Sequence, residues 1–124
     1  MVRKRTQGLT EREAEIMAIL WEREQANVEE IRAQLKNKPA ASTVRTLLAI
    51  MIERGLVADD GSVYAKQYRA LVDKDVAQKS ALRRLIDTFF AGSTEEVLLR
   101  LVDEGEVDAD QLKALQKRIH SKKR

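Results

Sequence analysis

Ala41-Ser42-Thr43-Val44-Arg45-Thr46-Leu47-Leu48-Ala49-Ile50-Met51-Ile52-Glu53-Arg54-Gly55-Leu56 reads as one helix with two unlike faces. At about 100° per residue, Val44, Leu47, Leu48, Met51 and Ile52 take the i, i+3, i+4, i+7, i+8 spacing of a core-facing stripe. Ser42, Thr46, Ala49 and Glu53 fall opposite, and Thr43 and Arg45 flank that outer face near the helix start. Hydroxyls and Arg bond to base edges, and small side chains permit close approach, so the outer face has the profile of a helix that enters a major groove. An ordinary amphipathic helix shows the same stripe, so the flanking segments decide between the two.

Upstream, Asn27 to Lys36 predicts a short helix with Val28, Ile31 and Leu35 on one face, opened by an Asn27/Glu30 capping box. Asn37-Lys38-Pro39 ends it, because Pro39 has no N–H and disfavours a helical Lys38. Downstream, Gly55 stands where a helix C-cap belongs. Leu56-Val57-Ala58 predicts a strand, Asp59-Asp60-Gly61-Ser62 a turn, and Val63 to Tyr68 a returning strand. Helix, turn, helix, hairpin is the winged-helix order.

Capping pairs also open helices at Thr10/Glu13, Ser93/Glu96 and Asp108/Gln111. The first, about Thr10 to Glu24, carries Ile16, Met17, Ile19, Leu20 and Trp21 toward the core, with Leu9 as a hydrophobic staple. Asp73 to Phe90 predicts the longest helix, striped by Leu82, Leu85, Ile86, Phe89 and Phe90 and ended at Gly92. The next helix carries Val97, Leu98, Leu99, Leu101 and Val102, and the last Leu112, Leu115 and Ile119. Three short helices with so much apolar surface cannot build a sufficient core alone, so burial against a second copy is expected. The dimerisation residues are expected to be Leu82, Leu85, Ile86, Phe89, Phe90, Leu98, Leu101, Leu112 and Leu115. The alternative is that these helices fold back on the winged unit and leave a monomer.

The expected fold is therefore mostly α with a small β-hairpin. A winged helix-turn-helix DNA-binding domain occupies residues 1–72 and a helical dimerisation domain residues 73–124. A single Pro, five Gly and few aromatics in 124 residues agree with that class. No run of about 18 apolar residues exists, and Arg3-Lys4-Arg5 is not followed by an apolar stretch, so no membrane insertion and a cytoplasmic location are expected. With no cysteine and the lone His120, no cofactor or metal is expected either. An enzyme is not expected: the chain offers no phosphate-cradling glycine loop, and its acidic residues read as caps and solvated faces.

A net charge of +3 decides little, but its placement is informative. Between Arg32 and Arg54 the cations Arg32, Lys36, Lys38, Arg45 and Arg54 face one anion, Glu53. From Glu95 to Asp110, seven acidic residues oppose only Arg100. The basic end, Lys113, Lys117, Arg118, Lys122, Lys123 and Arg124, reads as a solvated terminus in preference to a second phosphate contact. The expected DNA-binding residues are Ser42, Thr43, Arg45 and Thr46 on the reading helix, Lys36 and Lys38 before it, and Ser62 and Lys66 on the hairpin. The rival function is a winged-helix protein-interaction module.

The chain resembles the penicillinase-repressor family of winged-helix regulators, which also includes methicillin-resistance and copper-transport repressors. The likeness rests on Leu9-Thr10-Glu11-Arg12-Glu13-Ala14-Glu15-Ile16-Met17 through Leu20-Trp21 and on Ser42-Thr43-Val44-Arg45-Thr46-Leu47-Leu48 with Glu53-Arg54-Gly55-Leu56-Val57. Tyr68-Arg69-Ala70-Leu71-Val72 and Ser80-Ala81-Leu82 through Phe89-Phe90-Ala91-Gly92-Ser93 extend it. The resemblance implies a homodimeric repressor that binds a palindromic operator in double-stranded DNA and is held together by its C-terminal helices. It also implies a sensor protease as partner, since several members are cut within the helical region, whereas others release DNA on binding metal. This chain departs from both subtypes. The scissile Asn-Phe pair falls at Arg100-Leu101, and the metal-binding cysteines are absent. Relatives often carry basic residues about where Ala49 and Ile50 stand, which leaves Lys36, Lys38, Lys66 or Arg54 to supply phosphate contacts.

Overall fold

The computed structural model describes residues 9–122. In chain order these form α1 (Glu11–Arg23), α2 (Val28–Gln34), α3 (Ala41–Glu53), β1 (Val57–Asp59), β2 (Tyr68–Ala70), α4 (Lys74–Phe89), α5 (Thr94–Asp103) and α6 (Ala109–Lys122). Arg3-Lys4-Arg5 and Lys123-Arg124 lie outside the described residues. The fold is mostly α with one two-stranded antiparallel hairpin, consistent with a winged-helix domain followed by C-terminal helices.

The helix starts follow their caps. The Thr10 side chain accepts from Glu13 N–H while the Glu13 carboxylate accepts from Thr10 N–H, and Asn27 and Glu30 repeat the exchange at α2. Asp108 and Gln111 do the same ahead of α6. At α5 the Ser93 hydroxyl accepts from Glu96 N–H. Each cap satisfies amide donors that the first helical turn leaves without an internal partner.

The chain divides into two compact units, parted after Ala81 and so within α4. The first holds a continuous core. Ile16, Met17 and Leu20 of α1, Ile31 and Leu35 at α2, Val44, Leu48 and Met51 of α3, and Leu56, Val57 and Tyr68 of the hairpin are all buried together. Val72 and Ala77 belong to the same cluster. Trp21 packs on it half-buried, and its Nε1–H donates to Val72 O at 2.9 Å. Within the expected stripe of α3, Leu47 is half-buried and Ile52 is exposed, because the core subtends a narrower arc than five residues cover.

The hairpin departs from the sequence expectation. Its return strand is Tyr68–Ala70, in register Val57↔Ala70, Ala58↔Arg69 and Asp59↔Tyr68, whereas Val63 to Gln67 form the loop. Tyr68 decides the register: its side chain is buried, and its backbone also pairs with Ala26 through bonds of 2.8 and 3.0 Å. That bridge stitches the segment between α1 and α2 to the hairpin's far edge.

The second unit behaves differently. Neither α5 nor α6 contains a buried residue, and Leu98, Leu99, Leu101, Leu112, Leu115 and Ile119 are all exposed. On α4, Leu82, Leu85 and Phe89 are exposed but Ile86 is already buried within the chain, and Phe90, just past the end of α4, is half-buried.

Candidate nucleic-acid interface

The turn between α2 and α3 is held from below by α1. Arg12 Nη1 donates to Lys36 O at 2.8 Å, and Lys36 N–H donates to Glu15 Oε2 at 3.3 Å. Arg12 and Glu15 also pair with each other at 3.2 Å, so one ion pair grips both backbone groups of a single residue. The two positions that follow, Asn37 and Lys38, have φ of 66° and 39°. Non-glycine residues pay for that region, and Asn tolerates it best. Arg32 Nε donates to Pro39 O at 2.7 Å, which ties the far side of the turn to α2.

α3 begins without a capping side chain: its N-cap is Ala40, and its first turn contains no acidic residue. The other described helices each place at least one carboxylate in their first turn. The positive end of the α3 dipole is therefore left uncompensated beside Lys38, where an approaching phosphate would find unshared N–H donors. Ser42, Thr43, Arg45 and Thr46 are all exposed, opposite the buried Val44, Leu48 and Met51. Among the described residues none pairs with the Arg45 guanidinium. The Thr46 hydroxyl donates to Ser42 O at 3.0 Å, a back-bond to the preceding turn.

At the C-terminal end Gly55, at φ 78°, lets the chain reverse, with Leu56 N–H donating to Met51 O at 2.9 Å. The hairpin loop is stiffened by successive Asx turns, from Gly61 N–H to Asp59 Oδ1 at 2.8 Å and from Ser62 N–H to Asp60 Oδ1 at 3.1 Å. The Ser62 N–H beside it holds the Asp60 carboxyl below its ordinary range. Lys66 Nζ lies 3.8 Å from Asp59 and remains partly exposed, while Val63 and Tyr64 project at the loop tip, Tyr64 with 87% of its surface exposed. The buried Tyr68 anchors the hairpin.

Arg54 does not belong to this surface. Its Nη1 donates to Glu13 Oε1 at 2.9 Å, and the two side chains are 7% and 4% exposed. Glu13 thus serves both as a cap at the start of α1 and as counter-ion to the end of α3. Their separation by 41 residues left no local signal of the pair.

A family model for the penicillinase repressor matches residues 9–121. The chain belongs to the penicillinase repressor family. The match spans both compact units and includes the helix-turn-helix, the hairpin and the exposed C-terminal helices. No curated protein is a significant match to the chain. Membership identifies a transcriptional repressor that binds DNA. No helix among the described residues is long and apolar enough to cross a membrane.

Proposed function

We propose that this repressor acts as a cytoplasmic homodimer on a palindromic operator. The winged unit within residues 1–72 reads one half-site, and the helices from Asp73 onward hold two copies together. The observation that carries the reading is the outer face of α3: exposed Ser42, Thr43, Arg45 and Thr46 beside Lys36 and Lys38, with no carboxylate before Glu53. Ser62 and Lys66 supply backbone contacts from the hairpin. Base edges are read by the α3 side chains, and the phosphate contacts fix register.

Dimerisation follows from the bare second unit. Leu82, Leu85, Phe89, Leu98, Leu101, Leu112 and Leu115 leave too much apolar surface exposed for a stable single copy. Phe90 borders that surface, and Ile86 supports it from inside. Two linked half-site readers gain roughly 10²-fold or more in avidity, so a signal that disrupts residues 93–107 releases operator without touching α3. A sensor protease acting there is the partner that family resemblance implies.

The test uses the full chain and the variant Leu98→Glu. Sedimentation should give a dimer for the first and a monomer for the second. Operator affinity should fall by about 10²-fold for the monomer, with half-sites spaced by roughly 10 base pairs or a multiple. A dimeric Leu98→Glu protein with undiminished affinity overturns the division of labour.

A further inference from the structure

On the outer face of α3, the groups presented at its centre are methyls. Thr46 is usually counted among hydroxyl donors, but here its proton is committed to Ser42 O at 3.0 Å. What Thr46 offers outward is its γ-methyl and the hydroxyl lone pairs. One turn on, at i+3 and i+4 from Thr46, stand Ala49 and Ile50, both exposed, Ile50 with 42% of its surface open. Thr46, Ala49 and Ile50 form a continuous apolar patch in the middle of a surface otherwise bordered by Arg45, Lys36 and Lys38.

A patch so placed has one chemical complement in the major groove. Phosphates, N7, O6, N4 and N6 are all polar, and only the C5-methyl of thymine is apolar. A purely phosphate-contacting helix would gain nothing from Ile50, and an exposed Ile would be excess apolar surface there. We infer that Thr46, Ala49 and Ile50 form a methyl-reading patch that selects thymine at adjacent positions of the operator half-site. The inference rests on the DNA-reading role of α3 and adds what that helix selects. Arg45, on the flank, then fixes the neighbouring base by hydrogen bonding.

The experiment starts from the duplex that the full-length protein selects out of a randomised pool. Each thymine of that duplex is replaced in turn by deoxyuridine, which differs only in lacking the methyl group. One or two replacements per half-site should weaken binding by about fourfold each, the equivalent of one buried methyl. Thr46→Ser, which deletes the methyl and keeps the hydroxyl, should lose about the same factor and become indifferent to uracil at one position. Thr46→Val, which keeps the methyl and removes the hydroxyl, should keep the parent's sensitivity to uracil at that position. Because residue 46 is exposed, all three proteins should show the same circular dichroism and melting temperature.

Indifference of the parent protein to every uracil replacement overturns the inference. So does a Thr46→Val protein as indifferent to uracil at that position as Thr46→Ser, which would make the hydroxyl the reading group. If either result comes with selective binding that Arg45→Ala abolishes, the α3 reading role stands and only the methyl patch fails. If no sequence is enriched from the pool, both fail together.

Discussion

Replacing Arg54 separates a structural cation from a DNA-binding one. The sequence places Arg54 in a basic stretch and invites the reading of a phosphate contact. In the structure its side chain is 7% exposed and its guanidinium is bonded at 2.9 Å to Glu13, whose side chain is 4% exposed. Arg54→Met would leave the Glu13 carboxylate buried, still accepting from Thr10 N–H at 2.9 Å but without its counter-ion. Breaking a buried pair from one side costs about 3–5 kcal/mol, a large share of a typical total near 5–15 kcal/mol. For a unit of this size the melting temperature should fall by on the order of 20 °C. The paired change Glu13→Gln with Arg54→Met removes both charges, and the amide oxygen still accepts from Thr10 N–H. It should recover much of the loss, because a buried amide costs far less to desolvate than an unpaired carboxylate. The assay is calorimetric melting of the three proteins, coupled to the salt dependence of operator binding at a temperature where all remain folded. An unshifted melting temperature together with a salt slope flattened by about 1 would mean that Arg54 touches phosphate, and the structural role assigned to it would be wrong.

Two further substitutions probe the reading surface. Arg45→Ala should cost about 1–3 kcal/mol on operator and far less on scrambled duplex; equal losses on both would demote it to a backbone contact. Arg12→Ala removes the grip on Lys36 without altering any residue of the outer α3 face. Amide exchange at Lys36, which donates to Glu15, and at Lys38, which donates to Leu35 O, should quicken and operator affinity drop by roughly 3–10-fold, with about 1 kcal/mol of stability lost for a partly exposed charged hydrogen bond. Unchanged exchange at those two amides would show that the turn holds its shape unaided.

The helices were legible because their signals are local. Capping pairs stand three residues apart and apolar stripes repeat every turn, so Thr10/Glu13, Asn27/Glu30 and Asp108/Gln111 mark true starts. The hairpin was half legible. Val63-Tyr64 has strand-like composition, yet the return strand begins only at Tyr68, whose burial and bridge to Ala26 are tertiary facts. On α3 the exposed hydroxyls were legible as a face, but the inward commitment of Thr46 depends on its rotamer. Least legible were the long-range arginine bonds: the hydrogen bond of Arg12 to the Lys36 carbonyl and the ion pair of Arg54 with Glu13 join residues 24 and 41 positions apart.

Those long-range bonds matter to function because they sort the cations. The basic stretch from Arg32 to Arg54 looks uniform in sequence, yet Arg32 is engaged by Pro39 O and Glu29, and Arg54 is buried. Arg69 and Lys74 line a separate cleft with Trp21 and Val72. Lys36, Lys38 and Arg45 remain exposed, and Lys66, partly exposed, is shared with Asp59. At about 0.9 per neutralised phosphate, these residues bound the slope of log K against log salt at roughly −3.6 for one half-site and about −7 for a symmetric dimer. Arg45 spent on a base edge, or Lys66 kept by Asp59, makes it shallower. Lys66→Ala distinguishes these cases: a slope flattened by about 1 per half-site means that Lys66 leaves Asp59 for phosphate, and no change means that Asp59 retains it. A measured slope clearly steeper than −7 would defeat the assignment and bring in cations outside this surface, those of α6 first, since Lys113, Lys117, Arg118 and Lys122 all stand exposed along it.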